Sequence, residues 1–102
     1  MTQKNKISSL VIAKNEELNI KRCIESQLKC IDEILILIDE ESNDNTLNIV
    51  KNYDLVKYHI VEWEGYAVTK QKGLELVEND WVLWIDADEA ITPSLELSLI
   101  HI

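Results

Sequence analysis

"EILILID", residues 33–39, sets five apolar residues in succession between two carboxylates. A strand with one face in water alternates apolar and polar residues, so an unbroken run suits a strand covered on both faces, as in a parallel sheet. Working outward, three other short β-rich runs appear: "ISSLVIA" (7–13), "LVKYHIVEW" (55–63) and "WVLWID" (81–86). Helical patterns separate them. Asn15 is the expected cap of the first helix, with Glu16 and Glu17 in its opening turn and Ile20, Cys23, Ile24, Leu28 and Ile31 as its apolar stripe. Ser42 or Asp44 caps a second helix carrying Leu47, Val50 and Tyr53. A third, over 66–78, presents Val68, Leu74 and Val77 but contains Gly73, which costs about 1 kcal/mol in a helix interior. Strand and helix in strict alternation predict an α/β fold: a mainly parallel sheet, right-handed crossovers and helices on both faces.

The chain has 102 residues and is 46% hydrophobic, enough for one small domain with a modest core. Its formal net charge of -9, without a basic cluster, speaks against nucleic acid and against an anionic membrane surface. An acidic ligand would need a metal. The opening "MTQKNKISSLVIAKNEE" returns to charge too soon for a secretory leader, and no apolar run approaches the roughly 18 residues of a membrane span. The expected location is therefore cytoplasmic. Cys23 and Cys30 have no partners at metal-binding spacing and read as buried reduced thiols.

Open α/β sheets bind ligands beyond the carboxyl ends of their strands. Here that rule selects "KNEE" (14–17), "DEESND" (39–44), "EWEGY" (62–66) and "DADE" (86–89). Three of these are strongly acidic, and Glu16, Asp39 and Asp86 converge on one sheet edge. If the strand continues past Asp86, then Asp86 and Asp88, two residues apart, face one ligand. Hard cations such as Mg2+ or Mn2+ accept one or two such carboxylates and complete their shell with phosphate and water. Tyr58, Trp63 and Tyr66 read as packing residues first, and as the interface of a nucleotide- or protein-binding module second.

"SSLVIAKNEELNIKRCIESQL", "EILILIDEESNDNTLNIV", "EWEGYAVTKQKGLEL" and "NDWVLWIDADE", in this order and spacing, resemble the nucleotide-sugar-binding half of family 2 glycosyltransferases with the glycosyltransferase-A fold. The lipopolysaccharide-core β-1,4-glucosyltransferase-like members are the most similar. The resemblance implies a Rossmann-like nucleotide-binding fold and a donor that is a nucleotide-diphosphate sugar, UDP-linked. It implies further that Ala13 and Glu16 line the uridine pocket, that Asp39 hydrogen-bonds the uracil edge, and that Lys70 lies near the base or diphosphate. Asp86 would face the ribose or sugar, and Asp88 would hold the divalent metal, Mg2+ or Mn2+, on the diphosphate. Glu40, Glu41 and Asn43 depart from the family's second loop, while Asp39, Ser42, Asp44 and Thr46 keep it; Thr69 and Gln71 depart in the third segment.

Transfer to a glycan or lipid-linked acceptor of the cell envelope, with inversion, needs a general base. In the resembled family that base lies beyond the Asp-x-Asp, and Glu89 reads as a bystander, so this chain alone is expected to be inactive. "LSLIHI" (97–102) leaves the family pattern and reads as a non-native tail after a domain at 1–96; the full-length protein would be peripheral at the inner membrane face. Two other readings compete: a haloacid-dehalogenase-like phosphatase, which also ends an apolar strand in Asp-x-Asp, and a non-catalytic module that binds a nucleotide or a protein.

Overall fold

A computed structural model describes residues 6–79 and 81–88. Strands β1 (Ile7–Ala13), β2 (Glu33–Asp39), β3 (Val56–Val61) and β4 (Trp81–Asp86) alternate with helices α1 (Ile20–Gln27), α2 (Thr46–Lys51) and α3 (Tyr66–Leu76). All strand pairs are parallel, in the order β3-β2-β1-β4. The chain steps outward from β1 to β3 and then crosses back to place β4 on the far side of β1. That reversal is the topological switch point at which such sheets open a ligand crevice.

Strand alternation divides the core in two. Val11 and Ala13 of β1, with Ile34, Ile36 and Ile38 of β2, pack under α1 and α2 through Ile20, Cys23, Ile24 and Val50. Leu10, Leu35 and Leu37 face the opposite side, where Val77, Val82 and Trp84 pack against them. Every residue of β2 is buried, as expected of a strand covered on both faces. Cys23 and Cys30 are both buried.

The helices differ in detail from the sequence reading. The first begins at Ile20, not after Asn15, because Asn15 adopts a left-handed conformation (φ 52°) and the turn is closed by Asn19 and Ile20 N–H groups donating to the Glu16 carbonyl. Glu16 and Glu17 thus precede the helix. Leu28 follows its last turn and is exposed, outside the predicted stripe. In α3, Val68 (42% exposed) and Leu74 (38%) face solvent, and the inward residues are Thr69 and Gly73. The reason is distance: a Cβ at Gly73 would collide with the Leu10 side chain, so the glycine lets α3 lie close on the sheet. The third strand is shorter than 55–63.

At the amino ends of the strands the buried Glu33 carboxylate ties three strands together. It accepts from Ser8 Oγ at 2.6 Å, from Lys57 Nζ at 2.8 Å and from the Glu78 N–H at 2.8 Å; Asn79 Nδ2 in turn donates to Ser8 Oγ. Burial pushes this carboxyl upward, but the donors and the Lys57 charge outweigh burial and hold it below its ordinary value.

Candidate functional site

The carboxyl ends of β1 and β2 are joined by side chains acting on backbone. The Asn15, Glu16 and Glu17 N–H groups donate to Ser42 Oγ (3.1 Å), Thr46 Oγ1 (2.8 Å) and Asp44 Oδ2 (3.1 Å). The Asn43 N–H donates back to Asn15 Oδ1 at 2.9 Å. Asp44 also accepts from the Thr46 N–H and hydroxyl, which closes the entry to α2. Burial raises the Asp44 carboxyl, and these donors more than offset it, leaving it lowered. Ser42 and Asp44, expected as helix caps, thus join Thr46 in bracing two loops against each other.

Beside this brace lies a cavity of about 270 Å³, lined by Ile12, Lys14, Glu16, Asp39, Trp63 and Tyr66. Ile12 is its apolar floor. Asp39 is 3% exposed and accepts the Glu41 N–H on Oδ1 at 2.9 Å. Lys14 pairs with Glu41 at 3.5 Å, so one of the two added glutamates is neutralised at the surface. Trp63 and Tyr66 meet edge to face, with centroids 4.8 Å apart and planes at 89°.

The structure therefore brings Glu16 and Asp39 to one cavity. Ala13 it does not: by strand alternation the Ala13 side chain points into the core under α1 and α2, and its neighbours Ile12 and Lys14 line the cavity instead. Asp86 stands beside Ile12 in the β1–β4 register, one strand from that floor. Its Oδ1 accepts the Trp84 indole N–H at 3.3 Å, and Lys70 Nζ lies 5.3 Å from the centre of the same indole ring. Lys70 and Asp86 are thus neighbours through Trp84. The strand stops at Asp86, and Ala87 and Asp88 form a turn, so the extended geometry assumed for the Asp86–Asp88 pair ends one residue too early. Arg22 of α1 holds that turn by donating to the Asp88 carbonyl at 2.9 Å. Glu89 and the 97–102 tail lie outside the described residues.

Trp63 and Tyr66, read first as packing residues, instead line the cavity. Their place in "EWEGY", one of four loops at strand ends, was the available signal. Arg22 carried none: it is an exposed helix residue whose contact spans 66 positions.

With that geometry in view, the sequence model of Glycosyl transferase family 2 matches residues 8–100. The chain belongs to this family. An uncharacterised glycosyltransferase of Rickettsia typhi is 41% identical over 89% of this family 2 chain and 30% of its own length. The lipopolysaccharide core biosynthesis glycosyltransferase LpsC of Rhizobium meliloti is 34% identical over 93% of the chain and 36% of its own. The chain thus spans about a third of the length of these relatives. In fold it is similar to S. aureus TarS residues 1–349, with a TM-score of 0.79, 24% identity, and coverage of 94% of this chain and 31% of that one. The same protein in complex with UDP-GlcNAc superposes with a TM-score of 0.74 at 23% identity, covering 94% of this chain and 30% of that one. The parallel sheet with helices on both faces is the family's Rossmann-like architecture.

Proposed function

We propose that this chain is the donor-binding part of a glycosyltransferase that takes a UDP-sugar and transfers its sugar, with inversion, to a glycan or lipid-linked acceptor of the cell envelope. The observation that carries the reading is the cavity at the carboxyl ends of β1 and β2, where Glu16 and the buried Asp39 meet Trp63 and Tyr66. Asp39 accepts a ring N–H of the base, and Glu16 lies toward base or ribose. Lys70 serves the diphosphate side and Asp86 the ribose or sugar. The lipopolysaccharide role of LpsC and the UDP-GlcNAc complex of TarS support this assignment of donor and pathway class. Its place of action is the cytoplasm, at the inner face of the membrane; among the described residues no helix is long and apolar enough to cross one.

The donor chemistry of the β4 end fits a hard cation. Asp86 and Asp88 are both exposed and offer carboxylate oxygens. A hard cation takes one or two such solvent-open carboxylates and completes its shell with diphosphate and water. Asp88 would hold Mg2+ or Mn2+, which when bound neutralises charge developing on the leaving diphosphate. The chain's own residues bind and orient the donor; none of the described residues is assigned as the proton acceptor. Family membership favours transfer over the phosphatase and over a non-catalytic module.

Calorimetric titration of UDP and UDP-GlcNAc, with and without Mn2+, tests this in the wild type, Asp39→Ala and Asp88→Ala. Asp39→Ala is expected to weaken UDP about 10- to 100-fold, the loss of a hydrogen bond to a charged acceptor. Asp88→Ala should abolish the Mn2+ dependence. UDP binding unchanged in Asp39→Ala would sink the reading.

A further inference from the structure

We propose that Trp63 and Tyr66 form the base-stacking wall of the cavity, so that the cavity takes the nucleobase of the donor and leaves the diphosphate outside. This rests on the donor reading above and assigns it two residues that the sequence placed first in packing.

Charge decides what the cavity can hold. Its lining carries Glu16 and Asp39 against Lys14, and the Lys14 ammonium already faces Glu41 at 3.5 Å. A diphosphate entering here would meet net negative charge in a partly enclosed space, where repulsion is stronger than in bulk water. A neutral heterocycle meets no such penalty. It also finds a partner, because a carboxylate has about four lone-pair positions and only the Glu41 N–H is seen to use Asp39. A ring N–H flanked by carbonyls, as in uracil, matches that acceptor.

The aromatic pair is not spent on the core. Neither ring belongs to the two core clusters of the described residues, and Trp63 is 41% and Tyr66 68% exposed. Gly65, at φ 95°, turns the chain between the two residues, and the rings meet edge to face. Perpendicular rings make a corner: a flat ligand lies on one face while the other ring meets it edge-on, an arrangement aromatic groups favour. With the Ile12 floor and the Asp39 edge, the corner bounds a slot for one planar polar ring.

The test titrates UDP into the chain in the presence of Mn2+, by calorimetry and by tryptophan fluorescence, for wild type, Trp63→Leu, Trp63→Phe and Tyr66→Leu. Circular dichroism shows whether each variant is folded. Trp63→Leu and Tyr66→Leu are each expected to weaken UDP about 5- to 100-fold, the range for losing one base–aromatic stack. Trp63→Phe keeps a flat ring and should retain most of the affinity. UDP should quench wild-type fluorescence, and in Trp63→Leu only the smaller response of Trp84, which lies between Lys70 and Asp86, should remain. Wild-type affinity and quenching in Trp63→Leu would overturn this proposal while leaving the donor site standing. Absence of UDP binding by the wild type would overturn both.

Discussion

Glu33 shows how one residue can look like a mistake in sequence and be required by the fold. A carboxylate opening an all-apolar strand would be costly if buried alone. It is satisfied by Ser8, Lys57 and the Glu78 N–H, and its folded pKa lies below the ordinary value of 4.5. The sign follows: a group with a depressed folded pKa contributes stability that is present above the unfolded pKa and is lost as pH falls through the folded one. Lys57, raised chiefly by its hydrogen bonds to Glu33 and Glu78, contributes stability that is complete below 10.5 and fades only above it. Urea midpoints at neutral pH and below pH 4.5 are therefore expected to fall with acid in the wild type. In Glu33→Gln the fall should be smaller, from a neutral-pH stability lower by about 1–2 kcal/mol. An equal fall in both proteins would show that other carboxylates set the acid limb.

Among the elements, α3 departs most from its apparent pattern. Read by hydrophobicity, its buried face would be Val68 and Leu74; the face that packs is Thr69 and Gly73, because close approach to Leu10 decides the rotation of the helix. Two effects oppose each other in Gly73→Ala. Helix propensity favours alanine by about 1 kcal/mol. Overpacking a full site costs about 1–3 kcal/mol, and Leu10 is fully buried among Leu35 and Leu37, with little room to yield. Packing wins, and a net loss of about 1 kcal/mol is expected in a urea titration. A stabilised Gly73→Ala would mean that Leu10 repacks freely. The loop brace makes the same point about elements: Ser42, Asp44 and Thr46 serve the backbone of another loop, which no local capping rule could reveal.

For the whole molecule, the question is what holds it folded before any ligand arrives. The sheet carries apolar cores on both faces, closed by the chain's own side chains. Chelation by EDTA is thus expected to leave the melting temperature of the nucleotide-free chain unchanged. With UDP present at about 100 times its dissociation constant, binding should stabilise by about 2.7 kcal/mol, and Mn2+ should be needed to reach it. A melting temperature that drops on chelation without nucleotide would make the metal structural. By itself the sequence determined the α/β class, the strand bounds of β1, β2 and β4, and the placing of Glu16, Asp39 and Asp86 at or just beyond the carboxyl ends of the strands. These are legible because strand runs, their periodicity and the loops after them are local in the chain. Only the tertiary structure decided that Ile12 rather than Ala13 lines the cavity, that Trp63 and Tyr66 close it, that Trp84 links Lys70 to Asp86, and that Arg22 holds the Asp88 turn. Those are contacts between segments distant in sequence, set by how closely helices and loops pack on the sheet, and packing distance leaves no periodic trace in the residues that depend on it.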